Sequence, residues 1–502
     1  MTATTRSLAL DPTACHRALD SHDARFDGLF FVGITTTGIY CRPVCPARVS
    51  YPMRRRFFDS AAAAEEAGFR PCLRCRPELA PGCALMDAVP RLAHTAASRI
   101  AAGALNGRGV GELASELGVG ERQLRRAMEK ELGVSPVALA QTHRLLLAKC
   151  LLTDTPLPVT QIAFASGFQS LRRFNAVFRE RYRLNPSTLR RHLPATDAGR
   201  PDDMVHLTLG HRLPLAWDTL MVMLRADATP GVELIKGRRY ARTAGLDGHQ
   251  GLVVLEHAAD MTHVSIDVSV SLLPALMPLL SRLRQLLDLD AEPVVIDAHL
   301  AGAGLAELVS RRPGLRVPGA FDGFEFAVRE VIKEGAHSRQ AATELAGRVT
   351  EALGEPIETG IPALNRLGVT AVRVADGASA LARLGVPHAE RTVIVALARA
   401  VVDRKVHLEP GSDVPSTLRV LTEGCGMSER TARAIVLRAL HWPDTFPTAE
   451  PALQRAAGVA SERALLQLAE QWRPWRAYAA THLRFNQGLE RGFAVDIGAS
   501  AR

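Results

Sequence analysis

Two short stretches set the start of the chain: TTGIYCRPVC at residues 36–45 and GFRPCLRC at residues 68–75. Each carries a close pair of cysteines, Cys41 with Cys45 and Cys72 with Cys75. Two such pairs, each held in a turn, can close a tetrahedral zinc site whatever the length of chain between them. The spacing therefore predicts one Zn²⁺ on Cys41, Cys45, Cys72 and Cys75, in a structural or a reactive role. A zinc-bound thiolate is held deprotonated, yet it remains a nucleophile toward a soft alkyl carbon. Cys15, Cys83, Cys150 and Cys425 stand alone and read as buried, inert thiols.

Around this site the chain is long and unevenly charged. Its 502 residues exceed one compact core and suggest about three or four domains. A charged content of 23% and a hydrophobic content of 47% are those of a folded protein rather than a disordered one. The net charge of +9 hides an asymmetry. Residues 1–195 hold 27 Lys and Arg against 16 Asp and Glu, and the remainder hold 34 against 36. All the excess positive charge lies in the first two-fifths, where it suits a polyanion such as nucleic acid. No run resembles a membrane span or a signal peptide.

The cysteine stretches and their surroundings strongly resemble the N-terminal domain of Ada, the bacterial sensor of methylated DNA, over about 80 residues. In that family all four cysteines bind zinc, and the first also takes a methyl group from a methylphosphotriester in the DNA backbone. By position the resemblance makes Cys41 the methyl acceptor and leaves Cys45, Cys72 and Cys75 as ligands only. Four thiolates on Zn²⁺ carry a net charge of about −2, and methylating one leaves about −1, which weakens repulsion of phosphate. The reaction is thus itself a switch for DNA affinity. Arg42, Arg48 and Arg74, close to the ligands, are candidate phosphate contacts, and Thr37 is a candidate backbone contact.

Residues 110–133, VGELASELGVGERQLRRAMEKELG, have the pattern of a helix–turn–helix. A second copy, VTQIAFASGFQSLRRFNAVFRERYRLNPS, occupies 159–187. Joined by a long helix, the pair resembles the AraC-type DNA-binding domain. Apolar positions in both copies are core. Arg122, Gln123 and Arg126 in the first, and Gln169, Ser170, Arg172, Arg173 and Asn175 in the second, are the candidates for the DNA groove and its phosphates.

Beyond residue 205, short alternating β-like runs precede a helical stretch. The motifs RPGLRVPGAFDGFE (312–325), GCGMSERTA (424–432), WPDTFP (442–447) and QWRPWRAYA (471–479) resemble the alkylation-repair glycosylase AlkA. That resemblance implies a β-rich subdomain before a helix–hairpin–helix fold, which flips an alkylated base such as 3-methyladenine out of the duplex and cleaves its glycosidic bond. The family's catalytic aspartate falls on Glu450, a carboxylate one methylene longer. The hairpin departs further, with Ser428 for a glycine, Glu429 added beside the phosphate site and Arg430 for the pocket tryptophan; Gly335 stands where the family wedges the duplex. Trp472, Trp475 and Tyr478 read as helix-packing core.

The expected fold is multidomain, mainly α with α+β parts. A zinc domain with four cysteine ligands (1–82) precedes a tandem helix–turn–helix domain (83–195) and a linker (196–204). An AlkA-like α+β subdomain (205–293) and a helix–hairpin–helix glycosylase-like domain (294–502) follow. The resemblances imply a DNA alkylation-response protein that accepts methyl groups, activates transcription of repair genes and excises alkylated bases. Its partners are double-stranded DNA and RNA polymerase, with no membrane. It is expected as a monomer in the bacterial cytoplasm, associated with the nucleoid. The alternative is a purely regulatory DNA-binding protein whose glycosylase-like half is inactive. No PCHR cysteine motif of the Ada guanine-methyltransferase domain occurs, so no O6-methylguanine repair is expected.

Overall fold

The computed structural model describes residues 11–47, 51–81, 91–190, 203–257, 262–447 and 450–486. Arg48 and all but the last two residues of the expected linker lie outside these.

The N-terminal module starts with a helix, Pro12–Asp20, capped by Asp11, whose carboxylate accepts from the Thr13 amide at 3.0 Å. Four short strands follow: β1 (Phe31–Ile34), β2 (Ile39–Cys41), β3 (Arg55–Phe58) and β4 (Arg70–Pro71). Their order is β3-β1-β2-β4, with β1 antiparallel to both neighbours and β2 parallel to β4. Val32 lies opposite Cys41 on one side and Phe57 on the other. Side chains directly opposite share a face, so these three form one apolar row beside the sulfur cluster.

Two helix–turn–helix units follow. Val110–Glu116 and Glu121–Leu132 form the first, Val159–Ala165 and Leu171–Tyr182 the second, and the Pro136–Asp154 helix connects them. Leu113, Leu124 and Met128 are buried in the first, as are Ile162, Phe174 and Phe178 in the second, so the apolar periodicity marks core as expected. Gly167 in the second turn has φ +85°, and the Asn106 side chain occupies the place where a Cβ would stand. Conformation and space both exclude a side chain there.

The C-terminal half opens with an antiparallel sheet of β5 (Met204–Gly210), β6 (Glu233–Lys236), β7 (Arg239–Leu246), β8 (His249–Glu256) and β9 (His263–Ser269), in the order β5-β9-β8-β7-β6. Two helical cores follow, one including Phe324, Val328, Leu397 and Ile435, the other Ile296, Leu300, Phe446, Leu453 and Trp472. One sequence reading needs correction. The stretch Pro293–Arg311, 19 residues with mean hydropathy 1.2, is long and apolar enough to cross a membrane by composition alone. It is broken at Gly304 (φ +89°), and Ile296, Leu300, Leu305, Leu308 and Val309 pack into the second helical core. Trp472 and Tyr478 are buried in the same core, with Trp475 packed against it.

The modules are joined by buried polar contacts rather than laid end to end. Lys149, on the connecting helix, pairs with Glu78 and donates to the Cys72 carbonyl at 3.3 Å, with both charged side chains almost fully buried. Arg76 pairs with Asp154. Glu65 accepts from Tyr40 (3.0 Å) in the zinc module and from Thr142 (3.0 Å) on the connecting helix. The second helix–turn–helix unit shares one apolar core with the sheet, running from Leu145 and Phe178 to Val205 and Ile266. Packing is thus continuous across the segment whose composition reads as a linker.

Burial raises the Glu65 carboxyl from 4.5 to about 7, although Thr142, Arg181 and Tyr40 pull it down. An acid whose folded-state value is raised contributes stability below its unfolded value and loses it as pH rises through the folded one. Relative to Glu65→Gln, the wild-type protein should lose about 3 kcal/mol of stability between roughly pH 4.5 and pH 7. Urea unfolding across that range checks this; parallel pH profiles for the two proteins would remove Glu65 as the titrating group.

Candidate metal centre and nucleic-acid surfaces

Strand pairing brings the two thiol pairs together. Cys41 ends β2, and the Cys72 amide donates to the Tyr40 carbonyl at 3.0 Å, directly extending the β2–β4 pairing. The four Sγ atoms all lie within 4.8 Å of one another. Four sulfurs at Zn–S distances of about 2.3 Å sit about 3.8 Å apart in a tetrahedron, so the cluster fits a zinc ion.

The four sulfurs are not equivalent. Cys41 is 9% exposed, against 4%, 7% and 7% for Cys45, Cys72 and Cys75. The Arg42 amide donates to Cys75 Sγ at 3.4 Å and the Arg74 amide to Cys72 Sγ at 3.3 Å. Among the described hydrogen bonds, no backbone amide reaches Cys41 Sγ. Each N–H donor drains charge from the sulfur that accepts it, so these amides weaken Cys72 and Cys75 as nucleophiles relative to Cys41.

The arginines beside the ligands differ in the same way. Arg42 forms a two-pronged ion pair with Asp27, with Nε to Oδ1 at 2.8 Å, and donates to the Cys75 carbonyl at 3.1 Å. Its guanidinium holds the ligand loops. Arg74 is exposed between Cys72 and Cys75, and Thr37 is exposed in the turn joining β1 to β2. Arg48 lies outside the described residues.

In the helix–turn–helix units Arg122, Gln123 and Arg126 are exposed on one face of their helix, opposite buried Leu124 and Met128. Arg125, by contrast, pairs with Glu121. Gln169, Ser170, Arg172 and Arg173 are exposed and Asn175 is half-buried. Ser170 also caps its helix, accepting from the Arg173 amide at 3.4 Å.

In the glycosylase-like half, the 424–432 motif forms a hairpin before the Glu429–Ala439 helix, with Gly426 at φ +71°. Ser428 caps that helix by accepting from the Thr431 amide at 3.2 Å. Its side chain therefore has a helix-starting role where the family motif has glycine. Glu429 pairs with Arg433, and Arg430 is exposed, 3.8 Å from Glu334. The Glu390 carboxylate lies where a Cβ on Gly335 would stand, so a larger residue here would have to displace that side chain.

Glu450 precedes the Pro451–Ala456 helix, and its carboxylate is held by Arg484 from the last helix, with contacts of 3.2, 3.2 and 2.6 Å. Sequence reasoning missed Arg484, which lies 34 residues away and belongs to none of the matched motifs. It equally missed Lys149 and Glu65, whose partners lie in another module.

Comparison with known proteins matches three regions. Residues 14–78 match the metal binding domain of Ada, residues 113–192 a helix-turn-helix domain, and residues 206–322 the AlkA N-terminal domain. A probable bifunctional transcriptional activator/DNA repair enzyme AlkA from Mycobacterium tuberculosis is 37% identical over 476 residues, covering 93% of this chain and 95% of that protein. DNA-3-methyladenine glycosylase 2 of Escherichia coli is 28% identical over 284 residues, 56% of this chain and 98% of its own length. The bifunctional transcriptional activator/DNA repair enzyme Ada of the same organism is 47% identical over 60 residues, 12% of this chain and 17% of that protein. An Ada-type metal-binding module, a helix–turn–helix region and an AlkA-type half thus occur in one polypeptide, which belongs to the family of bifunctional transcriptional activator/DNA repair AlkA proteins.

Proposed function

We propose that the chain is a DNA alkylation-damage response protein. Cys41 accepts methyl from DNA methylphosphotriesters, the helix–turn–helix units activate transcription of repair genes, and the C-terminal half excises alkylated bases such as 3-methyladenine. The observation that carries this reading is the four-sulfur cluster inside the region that matches the metal binding domain of Ada, in which Cys41 is the slightly more exposed residue and accepts no described amide hydrogen bond.

Zinc held by Cys41, Cys45, Cys72 and Cys75 would keep the sulfurs as thiolates near neutral pH. Cys41 Sγ attacks the methyl carbon in line with the ester oxygen. The S–C bond forms as the C–O bond breaks, and the phosphodiester leaves with the electron pair as an ordinary backbone anion. No proton moves. The thioether is not regenerated, so each molecule reacts once. Arg74 and Thr37, exposed beside the cluster, face the flanking phosphates, a role the sequence also offers to Arg48, while Arg42 keeps the ligand loops in place through Asp27. Loss of one negative charge on sulfur then favours phosphate contact. Arg122, Gln123, Arg126, Gln169, Arg172, Arg173 and Asn175 supply the duplex contacts of the regulator. The protein acts as a monomer on bacterial nucleoid DNA and contacts RNA polymerase there.

In the AlkA-like half Glu450 is the carboxylate that would stabilise a cationic sugar as the glycosidic bond breaks. A second reading, a regulator with an inactive glycosylase half, is favoured by the Arg484 contact that already neutralises this carboxylate.

Incubating the zinc-loaded protein with a methylphosphotriester duplex should add the mass of one CH₂ unit to the Cys41 peptide and to no other cysteine. An unmodified Cys41 would sink the acceptor assignment. On methylated DNA the wild-type chain should release alkylated bases, and Glu450→Gln should abolish release. Undiminished release by the variant removes Glu450 from the mechanism, and no release by the wild type decides for the regulatory reading.

A further inference from the structure

Tyr51 and Met53 are the two most exposed large hydrophobic side chains among the described residues, at 75% and 89%. They flank Pro52 at the start of a single 3₁₀ turn, Pro52–Arg54, which leads into the edge strand β3. The segment reads Tyr-Pro-Met-Arg-Arg-Arg across residues 51–56. Arg55 is held inward by Asp20 at 2.9 Å. Arg54 and Arg56 are exposed and enter no described ion pair, and Arg56 lies over the rings of Phe58 and Phe69 at 5.3 and 5.8 Å. Side chains alternate along β3, so Arg56 belongs to the sheet face opposite Phe57, and the exposed apolar pair is followed by one unneutralised arginine, Arg54, with no packing that explains it.

Its position connects it to the methyl-acceptor face. The Arg54 carbonyl accepts from the Thr35 amide (3.0 Å) and Thr35 Oγ1 (3.2 Å), so the turn is fastened to the β1–β2 turn that carries Thr37. Through Val32, Phe57 of β3 stands in the same cross-strand row as Cys41. Two strand spacings separate β3 from β2, about 10 Å. Along a duplex that distance covers about three base steps.

We propose that Tyr51 and Met53 form an apolar wedge that enters the groove of duplex DNA about three base steps from the phosphate presented to Cys41, with Arg54 on the flanking backbone. Apolar side chains inserted between base steps next to arginines unstack those steps and bend the duplex. Bending here turns the backbone outward, toward a sulfur that is itself only slightly exposed. Charge argues for DNA as the occupant: the wedge lies in the part of the chain that holds all the excess positive charge. The inference rests on the methyl-acceptor reading for its purpose, though not for its geometry.

The test uses the full zinc-loaded chain and a duplex with one methylphosphotriester and 2-aminopurine placed about three base steps away. Wild-type binding should raise 2-aminopurine fluorescence. Tyr51→Ser/Met53→Ser should leave the fluorescence near that of free duplex and weaken binding about tenfold, with the salt dependence unchanged. Arg54→Gln should instead make the log–log salt dependence shallower by about one unit. Equal fluorescence and affinity for the wild type and the Tyr51/Met53 variant would overturn the wedge and leave these side chains to some other partner. The mass of Cys41, read in the same samples, judges the acceptor reading separately. A wild-type protein that unstacks the duplex without gaining mass supports the wedge and overturns the acceptor.

Discussion

Four sulfurs within 4.8 Å cannot all be anionic without a cation among them, and the N-terminal module is arranged around that requirement. Its strands are only two to four residues long, too little to hold a sheet of this size on pairing alone. Ligands from β2 and from the turn after β4 make the metal the cross-link that a larger core would otherwise replace. What is unusual is that the cross-link is not self-contained. Lys149 reaches from the connecting helix to the carbonyl of Cys72, a ligand residue, and its charge is neutralised by Glu78. A buried pair of this kind is costly to break from one side, about 3–5 kcal/mol, because the remaining charge stays buried. The ligand loop and the regulator helix therefore move together or not at all, and an event at sulfur is mechanically close to the helix–turn–helix units.

The C-terminal half is joined internally by the same device. Arg242 on β7 reaches Glu325 of the helical domain at 3.0 Å and lies over the ring of Phe321. Arg438 pairs with Asp227 at 3.0 Å across the same junction. These charges are buried and mutually neutralised, so they fix the sheet against the helices without adding to the field outside. The field that attracts DNA comes from the first 195 residues, where exposed arginines such as Arg74, Arg122 and Arg172 are not bonded inward.

Much of this was legible in the sequence because it is local. Close cysteine pairs, a turn glycine between two apolar-periodic helices and the GCGMSERTA hairpin each depend on residues within a few positions of one another. The burial of Phe174, Phe178 and Trp472 follows for the same reason: helical period predicts which face is buried. What sequence could not supply is pairing at long range. Arg42 looks like any basic residue beside a zinc ligand until Asp27 is found against it. The composition at 196–204 reads as a spacer, yet the units on either side share one core, because apolar complementarity between modules leaves no local signature. The 293–311 stretch is apolar for the same kind of reason, its partners being helices more than a hundred residues away.

The Glu450–Arg484 pair shows how such a long-range contact bears on chemistry. A carboxylate with a bidentate arginine is already neutralised, which argues against its acting on a cationic sugar. The strength of the pair matters more than its presence. Both side chains remain about a third exposed, and ion pairs open to solvent to that degree are worth at most about 1 kcal/mol. Preorganised charge in a closed site is worth several times as much to a transition state. A substrate that excludes water from this corner strengthens the Arg484 contact as well as a contact to the sugar, so a sugar carrying developing positive charge gains the carboxylate where the duplex draws the Arg484 guanidinium onto a phosphate. The extra methylene of glutamate gives the carboxylate reach to leave one partner for the other. Arg484 is thus compatible with a working Glu450, provided the duplex can seat the base without the wedge that Gly335 lacks.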